Sequence, residues 1–106
     1  MKKKKRPRTL RTTSDLEKFW GPLTFAKVLK AWRQCEGLSQ KDLAKRLGVT
    51  PSTLADLESG RRIPSLKRAE KIAKKMGAMP QQWVRLALQD YINKSGVDYS
   101  IKVEVA

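Results

Sequence analysis

Histidine does not occur in this 106-residue sequence. Its absence removes the commonest general base and the commonest metal ligand. The single cysteine, Cys35, can neither close an intrachain disulfide nor furnish a zinc site. There is no glycine-rich phosphate loop, and no serine sits between glycines at nucleophile-elbow spacing. These gaps exclude the usual enzyme designs, so we expect a binding protein with no catalytic residues, metal or cofactor. No apolar run approaches the roughly 18–20 residues of a membrane span. The basic N-terminal stretch runs into Thr and Ser rather than an apolar segment, so it does not read as a signal peptide. Acidic residues are also scarce: ten face 24 Lys and Arg, for a formal net charge of +14. An anionic partner is implied, and nucleic acid leads the candidates.

What is present fits one folded domain. Hydrophobic residues make up 40% of the chain, enough for a modest single core at this length. The charge is uneven. Seven of the 24 basic residues, among them Lys3, Lys4, Lys5 and Arg6, lie in residues 1–11 without one acid. That stretch has little apolar surface to offset its ordering entropy, so residues 1–13 read as a disordered basic arm. It suits DNA phosphates or a minor groove. A solubility tail and a nuclear address are the alternatives.

Local signals then divide the rest. Ser14-Asp15-Leu16-Glu17 is a capping box, so residues 14–22 read as a short helix and turn, stopped by Gly21-Pro22. A helix from about Thr24 carries Phe25, Val28, Leu29 and Trp32 on one face and ends at Gly37. Ser39 caps a second helix, with Leu43, Ala44 and Leu47 inward before Gly48. Thr50 caps a third, with Pro51 in the first turn, Leu54 and Leu57 inward, and Gly60 at its close. The short turn through Gly48 sets these two helices at a steep angle. Pro64-Ser65 opens a fourth helix with Leu66, Ala69, Ile72, Ala73 and Met76 inward. Pro80 opens a fifth, residues 80–94, with Trp83, Val84, Ala87, Leu88, Tyr91 and Ile92 apolar. After Ser95-Gly96, Val97, Tyr99, Ile101, Val103 and Val105 alternate with polar residues, which predicts a β-strand in an extension over 95–106. A single strand needs a partner: its own copy in a dimer, another protein, or an N-terminal segment.

The order of caps, glycines and core residues resembles the Xre/Cro family of helix-turn-helix DNA-binding domains. The matching residues are Leu29, Arg33, Gly37-Leu38-Ser39-Gln40, Leu43-Ala44, Leu47-Gly48-Val49-Thr50, Leu54, Leu57-Glu58, Gly60-Arg61-Arg62, Pro64, Ala69, Ile72-Ala73 and Met76-Gly77. The resemblance implies an all-α, lambda-repressor-like five-helix bundle over residues 23–94, followed here by the β-strand. It implies a reader helix at Pro51–Ser59. Pro51, Ser52 and Asp56 then match base-facing positions, and Gln40, Thr50 and Arg61 phosphate-facing ones. Thr53 lies near the N-terminal edge and Ala55 faces outward. Helix N-termini at Ser39 and Thr50 suit phosphate oxygens, and Lys41, Lys45 and Arg62 are further phosphate candidates. The reader lacks Arg, Lys, Asn and Gln, so modest direct readout is expected. By the same resemblance Arg33 and Glu58 form a partly buried structural ion pair.

The residues after Ala69, notably Pro80, Trp83 and Leu86-x-Leu88-Gln89-x-Tyr91, look like the antitoxin branch related to HigA. That likeness implies a repressor of its own operon, dimeric on a two-fold double-stranded operator, in a bacterial cytoplasm and associated with the nucleoid. Its partner would be a small RNA-cleaving toxin, and the Val97–Val105 strand would pair with a partner chain or with its own two-fold copy. A stand-alone repressor without a toxin, and a mainly protein-binding module, are the alternatives.

Overall fold

A computed structural model describes residues 23–106. The expected basic arm, with Lys3, Lys4, Lys5 and Arg6, and the short helix at its end lie outside the described residues.

Five helices follow one another: α1 (Phe25–Cys35), α2 (Gln40–Leu47), α3 (Pro51–Ser59), α4 (Leu66–Met76) and α5 (Pro80–Ser95). Each of the first four begins where a Ser or Thr accepts an otherwise orphaned backbone N–H. Thr24 takes that of Lys27, Ser39 that of Asp42, Thr50 that of Thr53 and Ser65 that of Arg68. The fifth starts on Pro80, whose missing N–H leaves nothing to satisfy there.

The helices enclose one core. Phe25, Leu29, Leu43, Leu54 and Leu57 are fully buried, and Ile72, Met76 and Trp83 nearly so. α1 rests on α3 and α5, α2 on α3 and α4, and α4 on α5. Phe25 meets the Trp83 ring edge-on, centroids 5.5 Å apart, which ties the two ends of the domain together. α5 buries Trp83, Leu86 and Ala87, a narrower stripe than its apolar residues alone imply. Val84, Leu88 and Ile92 are half-buried, and Tyr91 is exposed but donates its hydroxyl to the Pro64 carbonyl at 3.1 Å. Among the described residues, every buried side-chain nitrogen and oxygen has a hydrogen-bond partner. No described helix is long and apolar enough to cross a membrane.

The C-terminal segment corrects the sequence reading. Residues Val97, Tyr99, Ile101, Val103 and Val105 form no β-strand, and the described part of the fold is all-α. A strand is defined by a ladder to a neighbour, and no other strand exists among the described residues. Instead, Gln89 of α5 offers its side-chain amide as a one-residue substitute for that neighbour. Its Nε2 donates to the Tyr99 carbonyl at 2.7 Å, and its Oε1 accepts from the Ile101 N–H at 2.8 Å. Ile101 and Val103 are half-buried, while Val97, Tyr99 and Val105 are exposed. The segment is thus fastened at one point to α5, without a ladder, and the alternation does not match a buried face.

Candidate nucleic-acid interface

The two central helices are set by the turn between them. Gly48 ends α2 with φ 71°, a left-handed conformation that an L side chain adopts only with strain. A Cβ there would also lie 3.1 Å from the Lys75 ammonium, which donates to the Leu47 carbonyl at 2.9 Å. The glycine therefore answers a backbone requirement, while the flexible end of Lys75 would have to give by only a few tenths of an ångström. Directly after the turn, Thr50 starts α3 and donates its hydroxyl to that of Thr53 at 2.9 Å.

On α3, Leu54 and Leu57 enter the core and Glu58 is buried with them. Pro51, Ser52 and Ser59 are exposed; Thr53, Ala55 and Asp56 are half-buried. The exposed face therefore holds small, neutral side chains at its start.

A dense polar junction holds the opposite side of α3. Arg33 of α1 meets Glu58 through two parallel bonds, Nε to Oε2 at 2.7 Å and the terminal nitrogen to Oε1 at 3.1 Å. The other terminal nitrogen donates to the Leu38 carbonyl at 2.9 Å. The two side chains are only 13% and 3% exposed, so the charges are largely out of water. The bidentate geometry and added donors offset that desolvation.

Gln40 takes part in this junction, which sequence reasoning did not anticipate. Its Nε2 donates to Glu58 Oε1 at 3.1 Å. The residue is still exposed at the N-terminus of α2, beside Ser39 and Lys41. One amide N–H is thus committed to Glu58. The Glu58 link depends on the angle between α1, α2 and α3, which no local signal encodes.

Past α3, Arg61 and Arg62 are exposed, and Lys41 and Lys45 lie exposed on α2. Arg61 sits 3.6 Å from the Asp56 carboxylate, a surface pair in which Arg61 is 80% exposed. The pair draws the acid's field toward a neighbouring cation, which reduces its repulsion of an approaching phosphate. On α2, the Arg46 guanidinium lies 5.5 Å from the Trp32 ring centroid, a cation–π contact.

A further carboxylate braces the far side. Asp90 of α5 accepts the Phe25 N–H at 3.0 Å, in the first turn of α1. Partial burial raises its pKa above the ordinary 3.8, and the Phe25 bond acts against that shift.

A helix-turn-helix family model matches residues 29–80, from α1 to the start of α5. An uncharacterised HTH-type transcriptional regulator of Methanocaldococcus jannaschii is 51% identical over 49 residues, 46% of this chain and 74% of that protein. A second such regulator, of Archaeoglobus fulgidus, is 50% identical over 38 residues, 36% of this chain and 17% of that protein. Endothelial differentiation-related factor 1 of Homo sapiens is 40% identical over 67 residues, 63% of this chain. The match spans 45% of that factor's length, so the chain corresponds to under half of it. None of these three relatives bears the name of an antitoxin.

Proposed function

The chain belongs to the helix-turn-helix family, and from that membership we propose that it is a DNA-binding transcriptional regulator that grips duplex DNA mainly through its phosphates. One observation carries this reading. The exposed start of α3 offers Pro51 and Ser52, while exposed Lys41 and Lys45 stand on α2 and exposed Arg61 and Arg62 follow α3. Small neutral groups allow close approach to base edges, and the cations supply attraction that ignores sequence.

Ser52 and Thr53 accept several bases, Ala55 suits a thymine methyl, and Asp56 suits a cytosine amino group. None makes the bidentate contacts that discriminate strongly. Base preference is therefore shallow, and the net charge of +14 sets the affinity. A homodimer on a two-fold operator is the finer form of this reading, and footprint length tests it through one protected half-site or two.

The antitoxin form has less support. Its physical argument was a free β-edge at Val97–Val105, and that segment is not a strand. Moreover, the Tyr99 carbonyl and Ile101 N–H that such an edge would offer are already bonded to Gln89.

Fluorescence anisotropy on short duplexes tests the proposal. Binding should weaken by about a thousandfold or more between 50 and 200 mM salt if six or more phosphates are contacted. Unrelated duplex sequences should bind within about two orders of magnitude of one another, below the span of well-specified regulators. A salt-independent affinity would overturn the reading.

A further inference from the structure

We propose that the groove between α4 and the α2–α3 turn is a second phosphate site, which takes the sugar–phosphate backbone of the same duplex that meets α3. This inference rests on the duplex-binding reading above and extends it to a helix outside the helix-turn-helix pair.

The groove encloses about 330 Å³ and is lined by Leu47, Gly48 and Val49 on one wall and by α4 on the other. Among the described residues its charged lining is Lys67, Arg68, Lys71 and Lys75, with no acid. Among the described residues, Lys67, Arg68 and Lys71 make no ion pair and no side-chain hydrogen bond, and all three are exposed. Lys74 differs: it turns to Glu70 at 3.6 Å and does not line the groove. The helix therefore divides its lysines, one paired with an acid and the others gathered where none of the described acids lines the groove.

Spacing favours a linear polyanion. Lys67, Lys71 and Lys75 recur every four residues, about 6 Å per step along a helix, comparable to the separation of successive phosphates on one strand. Lys75 is anchored by the Leu47 carbonyl but keeps two further N–H donors. The groove also adjoins the turn that leads into α3. Its wall ends at Val49, and the next residue is Thr50, which caps α3. A backbone lying along the start of α3 thus has a cationic track leading from it onto α4.

The test compares the full chain with the K67Q/K71Q variant and with K30Q/K102Q, which removes the same charge elsewhere. The four lysines are exposed, so thermal midpoints should match. For the groove variant, the slope of log affinity against log salt should be shallower by about two, with roughly tenfold weaker binding at moderate salt. The control should keep the parental slope. Equal slopes in the two variants would overturn the inference while leaving duplex binding intact. A parental chain that binds no duplex would instead overturn the functional reading, and the inference with it. Inorganic tripolyphosphate provides the last arm. If K67Q/K71Q loses tripolyphosphate binding yet keeps the parental DNA slope, the groove serves a free polyphosphate and the inference fails.

Discussion

Two carboxylates two residues apart on α3 live in opposite environments. Glu58 is 3% exposed and fixed by Arg33, Gln40 and the geometry of three helices. Asp56 is 29% exposed and faces a solvated Arg61 at 3.6 Å. Each is an acid beside an arginine, so residue type alone does not separate them. The difference lies in water. Around Glu58 little solvent remains to take over if a partner is lost, whereas Asp56 and Arg61 each retain hydration. The inner pair therefore serves the fold, and the outer pair is available to a ligand.

The largest effect should come from breaking the inner pair. Glu58→Ala leaves the Arg33 guanidinium largely buried without its carboxylate, which should cost about 3–5 kcal/mol in urea denaturation. The loss should exceed that of any single substitution among Asp56, Arg61 and Arg62. A loss under about 1 kcal/mol would mean that water reaches the junction, and the contrast with Asp56 would collapse.

Asp90 tests the same contrast at an intermediate depth. Asp90→Ala removes the acceptor for the Phe25 N–H and should cost about 1 kcal/mol, as loss of a helix cap does. Asp90→Asn keeps an acceptor and should stay within about 0.5 kcal/mol of the parent at neutral pH. Because partial burial raises the carboxyl pKa, the folded state holds its proton at pH values where the unfolded chain has already lost it. The stability from that proton is present at low pH and is lost as pH rises from about 3.8 through the raised folded value. Asp90→Asn should therefore flatten stability against pH in that window. A parallel curve for parent and variant would refute the assignment.

The legible features were those set within a few residues. Ser39, Thr50 and Ser65 cap the helices they precede, and Gly48, Gly60 and Gly77 end helices in the left-handed region. Each such signal is read from a short window because its hydrogen bonds close over three to five residues. The Gln40 link to Glu58 spans 18 residues and the Gln89 clamp 10 or 12, so no local window contains them. The strand expectation failed for the same reason. Period-two alternation does not supply the second strand that a ladder needs, and of the five alternating residues only Ile101 and Val103 are half-buried. On α5 the apolar residues exceed the buried stripe because α1 and α4 cover only part of it.

The outer pair supplies the smallest effect on stability and a separate effect on binding. Arg61→Ala should change unfolding free energy by no more than about 0.5 kcal/mol, since an exposed ion pair between hydrated groups contributes little. Its effect on duplex DNA should be clearer. One lost phosphate contact lowers the salt slope by about one, and the weakening should be nearly uniform across sequences. Asp56→Asn sharpens the point, because it removes the acid while leaving Arg61 in place. If the pair restrains Arg61, that variant should bind more tightly at low salt, with the gain fading as salt screens the charges. If Asp56 instead contacts a base, the variant should reorder sequence preference and leave the salt slope unchanged. The two outcomes distinguish a carboxylate that tunes a phosphate contact from one that reads the groove.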